Sequence, residues 1–161
     1  MNKSEFSEAV GRNDRRLFLI ALSFTRSRAD AEDILQNVFL KLWQNKKAFE
    51  SAEHMDKWLT RVCVNESRNL LRSPFRSRVT ELEEAADIQV FDSPRDGDLF
   101  RAVMSLPTKE RTVIHLFYYE DLSVAEIAKT LRISPSAVKT RLNRARNKLK
   151  EALGDEWKNE P

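Results

Sequence analysis

Between Pro135 and Lys150 stand six cations, Lys139, Arg141, Arg144, Arg146, Lys148 and Lys150, and no acid. Guanidinium and ammonium groups bind phosphate, and the hydroxyls and amide of Ser136, Thr140 and Asn143 can hydrogen-bond base edges. At about 100° per residue of a helix, Ser136, Lys139, Thr140, Asn143 and Arg144 share the outer half. Val138, Leu142, Ala145 and Leu149 take the i, i+4, i+7, i+11 spacing of a buried face. That is the footprint of a helix meant for the major groove of duplex DNA. A plain solvated helix is the competing reading, but a solvated face normally mixes charge signs for i, i+4 pairing.

A second constellation has a different chemistry. Trp58, Arg61, Asn65, Arg68 and Arg72 recur at i, i+3, i+7, i+10 and i+14. An aromatic ring can stack an unpaired base, cations can follow phosphates, and an amide can read a base edge, which suits a single strand. On periodicity alone the face is equally a core tryptophan beside solvated arginines. A third set, Glu32, Asp33, Gln36, Asn37 and Lys41, forms a polar face that reads first as simple solvation. No nucleophile–base pair, carboxylate pair or phosphate-binding loop stands out, so the chain is not expected to be an enzyme. Cys63 is the single cysteine, and His54 and His115 lie far apart in the chain. Neither a disulfide nor a metal site is expected, and both histidines read as surface or half-buried residues. No cofactor is expected either.

Helices must position these groups. Ser123 is placed to cap a helix, with Glu126 three residues on completing a capping box. Val124, Ile127, Ala128 and Leu131 follow on one face. Ser134 caps the next helix, and Pro135 occupies its first position, where no N–H is needed. The short gap between Leu131 and Ser134 forces a steep crossing, as in a helix-turn-helix. Gly154 ends the second helix.

Composition agrees with an all-α protein: 161 residues, 41% hydrophobic, 33% charged and only three glycines. The net charge of +3 conceals a strongly uneven distribution. The first residues lack a long apolar run, and no stretch reaches about 18 apolar residues, so neither a signal peptide nor a membrane insertion is expected. The expected location is cytoplasmic.

Upstream, the pattern predicts a short helix around Ser4 to Val10, a break at Gly11–Asp14, and a helix from Arg15 to Thr25 with Leu17, Ile20, Ala21 and Phe24 inside. Asp30 is expected to cap a helix running to about Gln44, with Asp33 in its first turn and Ala31, Ile34, Leu35, Val38 and Leu42 buried. A loop over 45–55 leads to a helix from about Met55 to Arg72, with Leu59, Cys63, Val64, Leu70 and Leu71 inside. Arg76 to Asp98 holds seven acids and three arginines. That stretch reads as a flexible acidic linker, with a short helix at Thr80 to Ala86. Leu99 to Ser105 is a further helix, and Pro107 opens another with Val113, Leu116 and Phe117 inside. The expected architecture is two small helical domains joined by an acidic flexible linker. Residues 1–74 form the first, 75–98 the linker, and 99–153 a four-helix domain with the helix-turn-helix. Residues 154–161 are an acidic tail in which Trp157 has no assigned role.

Three stretches together resemble the extracytoplasmic-function (ECF) sigma factors of the sigma-70 family, which direct bacterial RNA polymerase to promoters. They are RADAEDILQNVFLKLW (Arg28–Trp43), MDKWLTRVCVNESRNLLR (Met55–Arg72) and Leu106–Lys150, in the family order. The resemblance implies that Asp30, Glu32, Asp33, Gln36 and Asn37 dock on the β′ clamp helices of core polymerase. It implies that Trp58, Arg61, Asn65, Arg68 and Arg72 read the melted −10 element, with a flipped base held by a loop from Phe49 to His54. It implies that the last helix reads the −35 duplex. There Lys139, Thr140, Arg141 and Arg144 match the recognition positions, and Ser136, Asn143, Arg146 and Lys148 complete the expected contact set. The polymerase β flap and an anti-sigma factor are further implied partners, and the linker would cross polymerase near its RNA exit path. Four departures stand out. Asn37 and Asn69 replace acids common in the family, Arg132 replaces the usual turn glycine, and Ser136-Ala137 replaces Gly-Thr, so promoter sequence does not carry over. Two other functions fit parts of the pattern: a stand-alone helix-turn-helix regulator, and a helical adaptor that binds proteins only.

Overall fold

The computed structural model describes residues 1–73 and 94–154. Residues 74–93, with most of the acidic linker and its helix at 80–86, and the tail beyond Gly154 with Trp157, lie outside the described residues. Seven helices are described and no strand. The chain divides into two compact units, Met1–Thr80 and Glu81–Pro161. Among the described residues no helix is long and apolar enough to cross a membrane.

The first unit packs α1 (Lys3–Thr25), α2 (Arg28–Gln44) and α3 (Ala52–Arg72) against one another. The apolar stripes meet as the periodicity predicts. Leu17, Ile20, Ala21 and Phe24 of α1, the five stripe residues of α2, and Leu59, Cys63 and Val64 of α3 are all buried. Leu70 and Leu71 are only half-buried, and Ser67 takes a core place instead, donating to Cys63 O at 2.8 Å.

The expected break at Gly11–Asp14 does not occur: α1 is one helix of 23 residues, opened by an Asn2/Glu5 capping box. The polar run is polar because it faces α3. Asn13 is fully buried and donates through Nδ2 to Ala9 O (2.9 Å) and to Asp56 (3.0 Å). Arg12 donates to Asp56 through Nη2 (2.9 Å) and Nε (3.2 Å). Arg16 reaches Asn13 Oδ1 (2.7 Å), Asp56 O (3.0 Å) and Thr60 Oγ1 (2.6 Å). These cross-helix bonds offset the roughly 1 kcal/mol that a glycine inside a helix costs relative to alanine.

The cap of α2 is Ser27, not Asp30, and its Oγ accepts the Asp30 amide at 3.2 Å. Arg26, at φ 53°, ends α1 by donating its N–H to Leu22 O at 2.8 Å. Only Arg26 and Ser27 separate the two helices, and Ser27, directly before Arg28, is left to serve as the cap, so Asp30 falls in the first turn where the helix dipole favours an acid. Asp33 moves to the second turn. Likewise α3 starts at Ala52 rather than near Met55, because Ser51 Oγ accepts the His54 amide at 3.0 Å.

The second unit holds α4 (Pro94–Met104), α5 (Thr108–Tyr118), α6 (Val124–Leu131) and α7 (Pro135–Leu153). α4 begins before the expected Leu99, with Pro94 as a first helical residue rather than a breaker. Phe100, Val103, Met104, Val113, Ile114, Leu116, Ile127, Ala128, Leu131, Val138, Leu142, Ala145 and Leu149 make its core, while Val124 and Phe117 are half-buried. Both expected caps are present: the Ser123/Glu126 box, and Ser134 Oγ accepting the Ala137 amide at 3.0 Å. Arg132 has φ 58°, and the Ile133 amide donates to Ala128 O at 3.0 Å, closing the turn as a Schellman motif. Gly154, at φ 69°, ends α7. Arg111 is buried at the α4–α5 corner and donates to Leu106 O at 2.8 Å.

Candidate nucleic-acid and protein interfaces

On α7, Ser136, Lys139, Thr140, Asn143 and Arg144 are exposed and Arg141 is half-buried. Their backbone is fixed by the Ser134 cap below and by the four buried residues behind. Arg146 and Lys148 stand apart. Arg146 Nε donates to Tyr118 Oη at 3.0 Å, and its guanidinium lies 5.4 Å and 5.7 Å from the ring centroids of Phe117 and Tyr118. Lys148 Nζ donates to Glu110 Oε1 at 2.8 Å. Burial pushes the Glu110 carboxyl up, but the Lys148 bond, its own backbone amide and the charges of Lys148 and Arg144 hold it below the usual range. Arg146 and Lys148 are thus engaged with α5, while Ser136, Lys139, Thr140, Asn143 and Arg144 face solvent.

His115, expected at or near the surface, is buried on α5 and stacks on Tyr119, centroids 4.9 Å apart and planes at 18°. Burial lowers its pKa from 6.5 to about 4, so the ring is neutral at pH 7. Its Nε2 meets no hydrogen-bond partner among the described residues.

In the first unit the loop before α3 carries Phe49 to the start of the expected strand-reading face. The Phe49 ring stands edge-on to His54 (5.5 Å, 75°) and to Trp58 (5.4 Å, 62°). Trp58 is half-buried against Phe49, so it is neither core nor an isolated surface ring. Along the same helix Arg61 and Arg72 are exposed, and Asn65 and Arg68 half-buried. The structure therefore brings Phe49, His54 and Trp58 into one aromatic cluster and continues it with an amide and three cations.

On α2, Glu32, Asp33, Gln36 and Asn37 are exposed, and Asp30 is half-buried. Arg28 lies 4.0 Å from Glu32 in an exposed i, i+4 pair, which is worth little. Lys41, read as part of this polar face, is tied to Glu66 of α3. The sequence reading missed the apolar end of the surface. Leu40 and Trp43 are 53% and 50% exposed, and Leu40 follows Gln36 and Asn37 at i+4 and i+3. Trp43 meets solvent on one side and the edge of Phe6 (5.1 Å) on the other. A polar face that runs into exposed leucine and tryptophan has the make-up of a protein interface rather than of a solvated surface. The i, i+3, i+4 spacing Asp33–Gln36–Asn37–Leu40 was the signal that could have found it. Among the described residues no three His, Cys, Asp or Glu side chains come together as a metal site.

Comparison with known proteins follows the same division. Residues 9–77 match the family model for sigma-70 region 2, and residues 97–149 that for sigma-70 region 4. The RNA polymerase sigma factor SigV of Bacillus subtilis (strain 168) is 31% identical over 130 residues, covering 80% of this chain and 78% of SigV. Two longer curated relatives are spanned over only 36% and 61% of their lengths. Among solved structures, CnrH in complex with the cytosolic domain of CnrY superposes with a TM-score of 0.62 at 30% identity, covering 97% of this chain and 92% of CnrH. The sigma factor RpoE of Bartonella quintana, in complex with the anti-sigma factor NepR, shares the fold at a TM-score of 0.71, 23% identity, and coverage of 95% and 99%. With regions 2 and 4 both present in order, and with a relative of this identity spanned over most of its length, the chain belongs to the sigma-70 family, in its ECF group.

Proposed function

We propose that this chain joins bacterial core RNA polymerase and directs it to particular promoters, acting as a specificity factor with no catalytic centre of its own. The observation that carries the reading is the pairing, in one chain, of a cationic helix-turn-helix face with an aromatic platform. The first half of α7 suits −35 duplex: Lys139 and Arg144 set register on phosphates and reach bases, beside Ser136, Thr140, Arg141 and Asn143. The Phe49–His54–Trp58 cluster, with Arg61, Asn65, Arg68 and Arg72, suits a melted −10 strand, whose stacking energy offsets strand opening. A regulator confined to duplex operators has no use for such a platform, and a protein-only adaptor has no use for the α7 face.

The α2 surface, from Asp33 through Gln36 and Asn37 to Leu40 and Trp43, is the docking face for the β′ clamp helices, and the second unit would meet the β flap. Asp33→Arg is expected to abolish capture of core polymerase in a pull-down; full retention would remove the docking assignment. An anti-sigma factor is the proposed inhibitory partner, supported by the CnrH–CnrY complex. The place of action is the cytoplasm.

Reconstituted transcription is the test. The purified chain is mixed with bacterial core polymerase and a pool of genomic fragments from its source, and transcript 5′ ends are sequenced. Discrete starts with shared upstream motifs are expected. A chain that binds DNA with steep salt dependence but never binds core would instead be a stand-alone regulator.

A further inference from the structure

Two backbone amides shape the loop that presents Phe49. The His54 amide donates to Ser51 Oγ at 3.0 Å, and the Glu50 amide donates to His54 Nδ1 at 3.1 Å. The imidazole thus reaches back over the cap of α3 and holds the residue next to Phe49. At the other end of the loop, Asn45 Nδ2 donates to Lys47 O at 2.7 Å. Phe49 sits between the His54 and Trp58 rings as a result.

A backbone amide can only donate, so the ring nitrogen that meets it must accept. His54 in this arrangement is neutral and carries its proton on Nε2. An imidazolium has two donors and no acceptor, and its Nδ1–H would face the Glu50 N–H donor to donor. We propose that His54 is a positioning residue for melted-strand recognition: its ring, accepting the Glu50 amide through Nδ1, holds Phe49 against Trp58. The proposal rests on reading the Trp58 face as the −10 strand platform.

Variants isolate the acceptor. His54→Asn puts an amide oxygen near the place of Nδ1 and so keeps it. His54→Gln carries its amide out towards the place of Nε2 and leaves the Glu50 amide without its acceptor, and His54→Ala removes both. The holoenzyme is assembled with core polymerase on a premelted template bearing the −10 sequence mapped from transcript starts. His54→Gln and His54→Ala should each lose about 2- to 10-fold in affinity, as for one hydrogen bond lost, and His54→Asn should bind more tightly than either. A His54→Asn affinity no better than that of His54→Ala, or a His54→Ala affinity equal to wild type, overturns the proposal. Imidazole ¹⁵N NMR of the full chain reads the latch without DNA: an Nε2–H tautomer is expected, and an Nδ1–H tautomer overturns it. A wild-type holoenzyme indifferent to the −10 sequence of the premelted template, with the Nε2–H tautomer in place, would show that the strand reading had failed and the positioning role with it.

Discussion

Replacing Asp56 by Ala should loosen the first unit by about 2 kcal/mol, and the bonds on the page say how. The carboxylate receives Arg12 from one side and Asn13 from the other. The Arg12 pair is about one-third exposed on both partners, so its loss costs about 0.5–1 kcal/mol. Asn13 is fully buried, and without Asp56 one of its two amide hydrogens has no acceptor left from that side chain. An orphaned buried donor costs about 1–3 kcal/mol, and the low end applies because Nδ2 keeps Ala9 O. Cys63 supplies a probe confined to this unit: it is the single cysteine, wholly buried, with Sγ 3.4 Å from Leu17 O. Thiol labelling at about pH 8 should run about 30-fold faster in Asp56→Ala when opening pre-equilibrates. Asp56→Asn retains an acceptor for Asn13 and should recover the larger part.

The pH dependence gives the same account a second check. Burial pushes the Asp56 carboxyl up, but hydrogen bonds from Arg12 and Asn13 and the charges of Arg12 and Arg16 outweigh it, leaving it below its ordinary value. A depressed carboxyl contributes stability that is complete above the unfolded value, about 3.9, and is lost as pH falls through the folded one. The gap between wild type and Asp56→Ala in urea midpoints should therefore be constant from about pH 8 to 5 and shrink towards about pH 3. Labelling within about 3-fold of wild type, or a gap undiminished in acid, would refute the reasoning.

Other outcomes follow from single contacts. Gly11→Ala adds a Cβ that meets nothing within 4 Å, so it should stabilise the first unit by about 0.5–1 kcal/mol in urea unfolding; destabilisation would mean that α1 does break there. Arg144→Ala should weaken −35 binding by about 1–3 kcal/mol and lower the salt slope by about 1, whereas Arg146→Ala should lower the unfolding midpoint of the second unit and leave the salt slope unchanged. Equal salt slopes for the two variants would dissolve the division of α7. His115 has its pKa lowered by burial to about 4, so its neutral form contributes stability that is complete above about pH 6.5 and lost as pH falls towards about 4. That loss is on the order of 3 kcal/mol, and His115→Phe, which keeps a ring beside Tyr119, should flatten it in pH-resolved urea melts.

The parts of the fold legible in the sequence are those fixed by neighbours a few residues away. Ser123 with Glu126, Ser134 with Pro135, and the spacing Val138–Leu142–Ala145–Leu149 define α6 and α7 before any tertiary contact is known. The α2 stripe is legible for the same reason. The misread features have distant causes. Gly11–Asp14 looks like a break because its composition is polar, yet its partner Asp56 lies more than forty residues on. Asp30 and Ser27 are both good caps in isolation, and the left-handed Arg26 decides between them.

The recognition helix shows the same limit within a single element. Its cations are indistinguishable as letters, and the contact set implied by the family resemblance takes in Arg146 and Lys148 with the rest. The residues that engage them, Tyr118 and Glu110, stand 28 and 38 positions upstream and come within reach only once α5 packs on α7. That packing divides the helix by physical role. Arg146 and Lys148 hold α7 to its own unit, Arg146 by a phenol bond and two aromatic faces, Lys148 by closing off a mostly buried carboxylate. The N-terminal half projects Ser136, Lys139, Thr140, Asn143 and Arg144 from a capped, rigid start. A helix-turn-helix presents the N-terminal part of its second helix to base edges. Side chains there are long and flexible, so a reading head gains precision only if the rod that carries them does not rock. In α7 part of the positive charge serves that rigidity, through Tyr118 and Glu110 of α5.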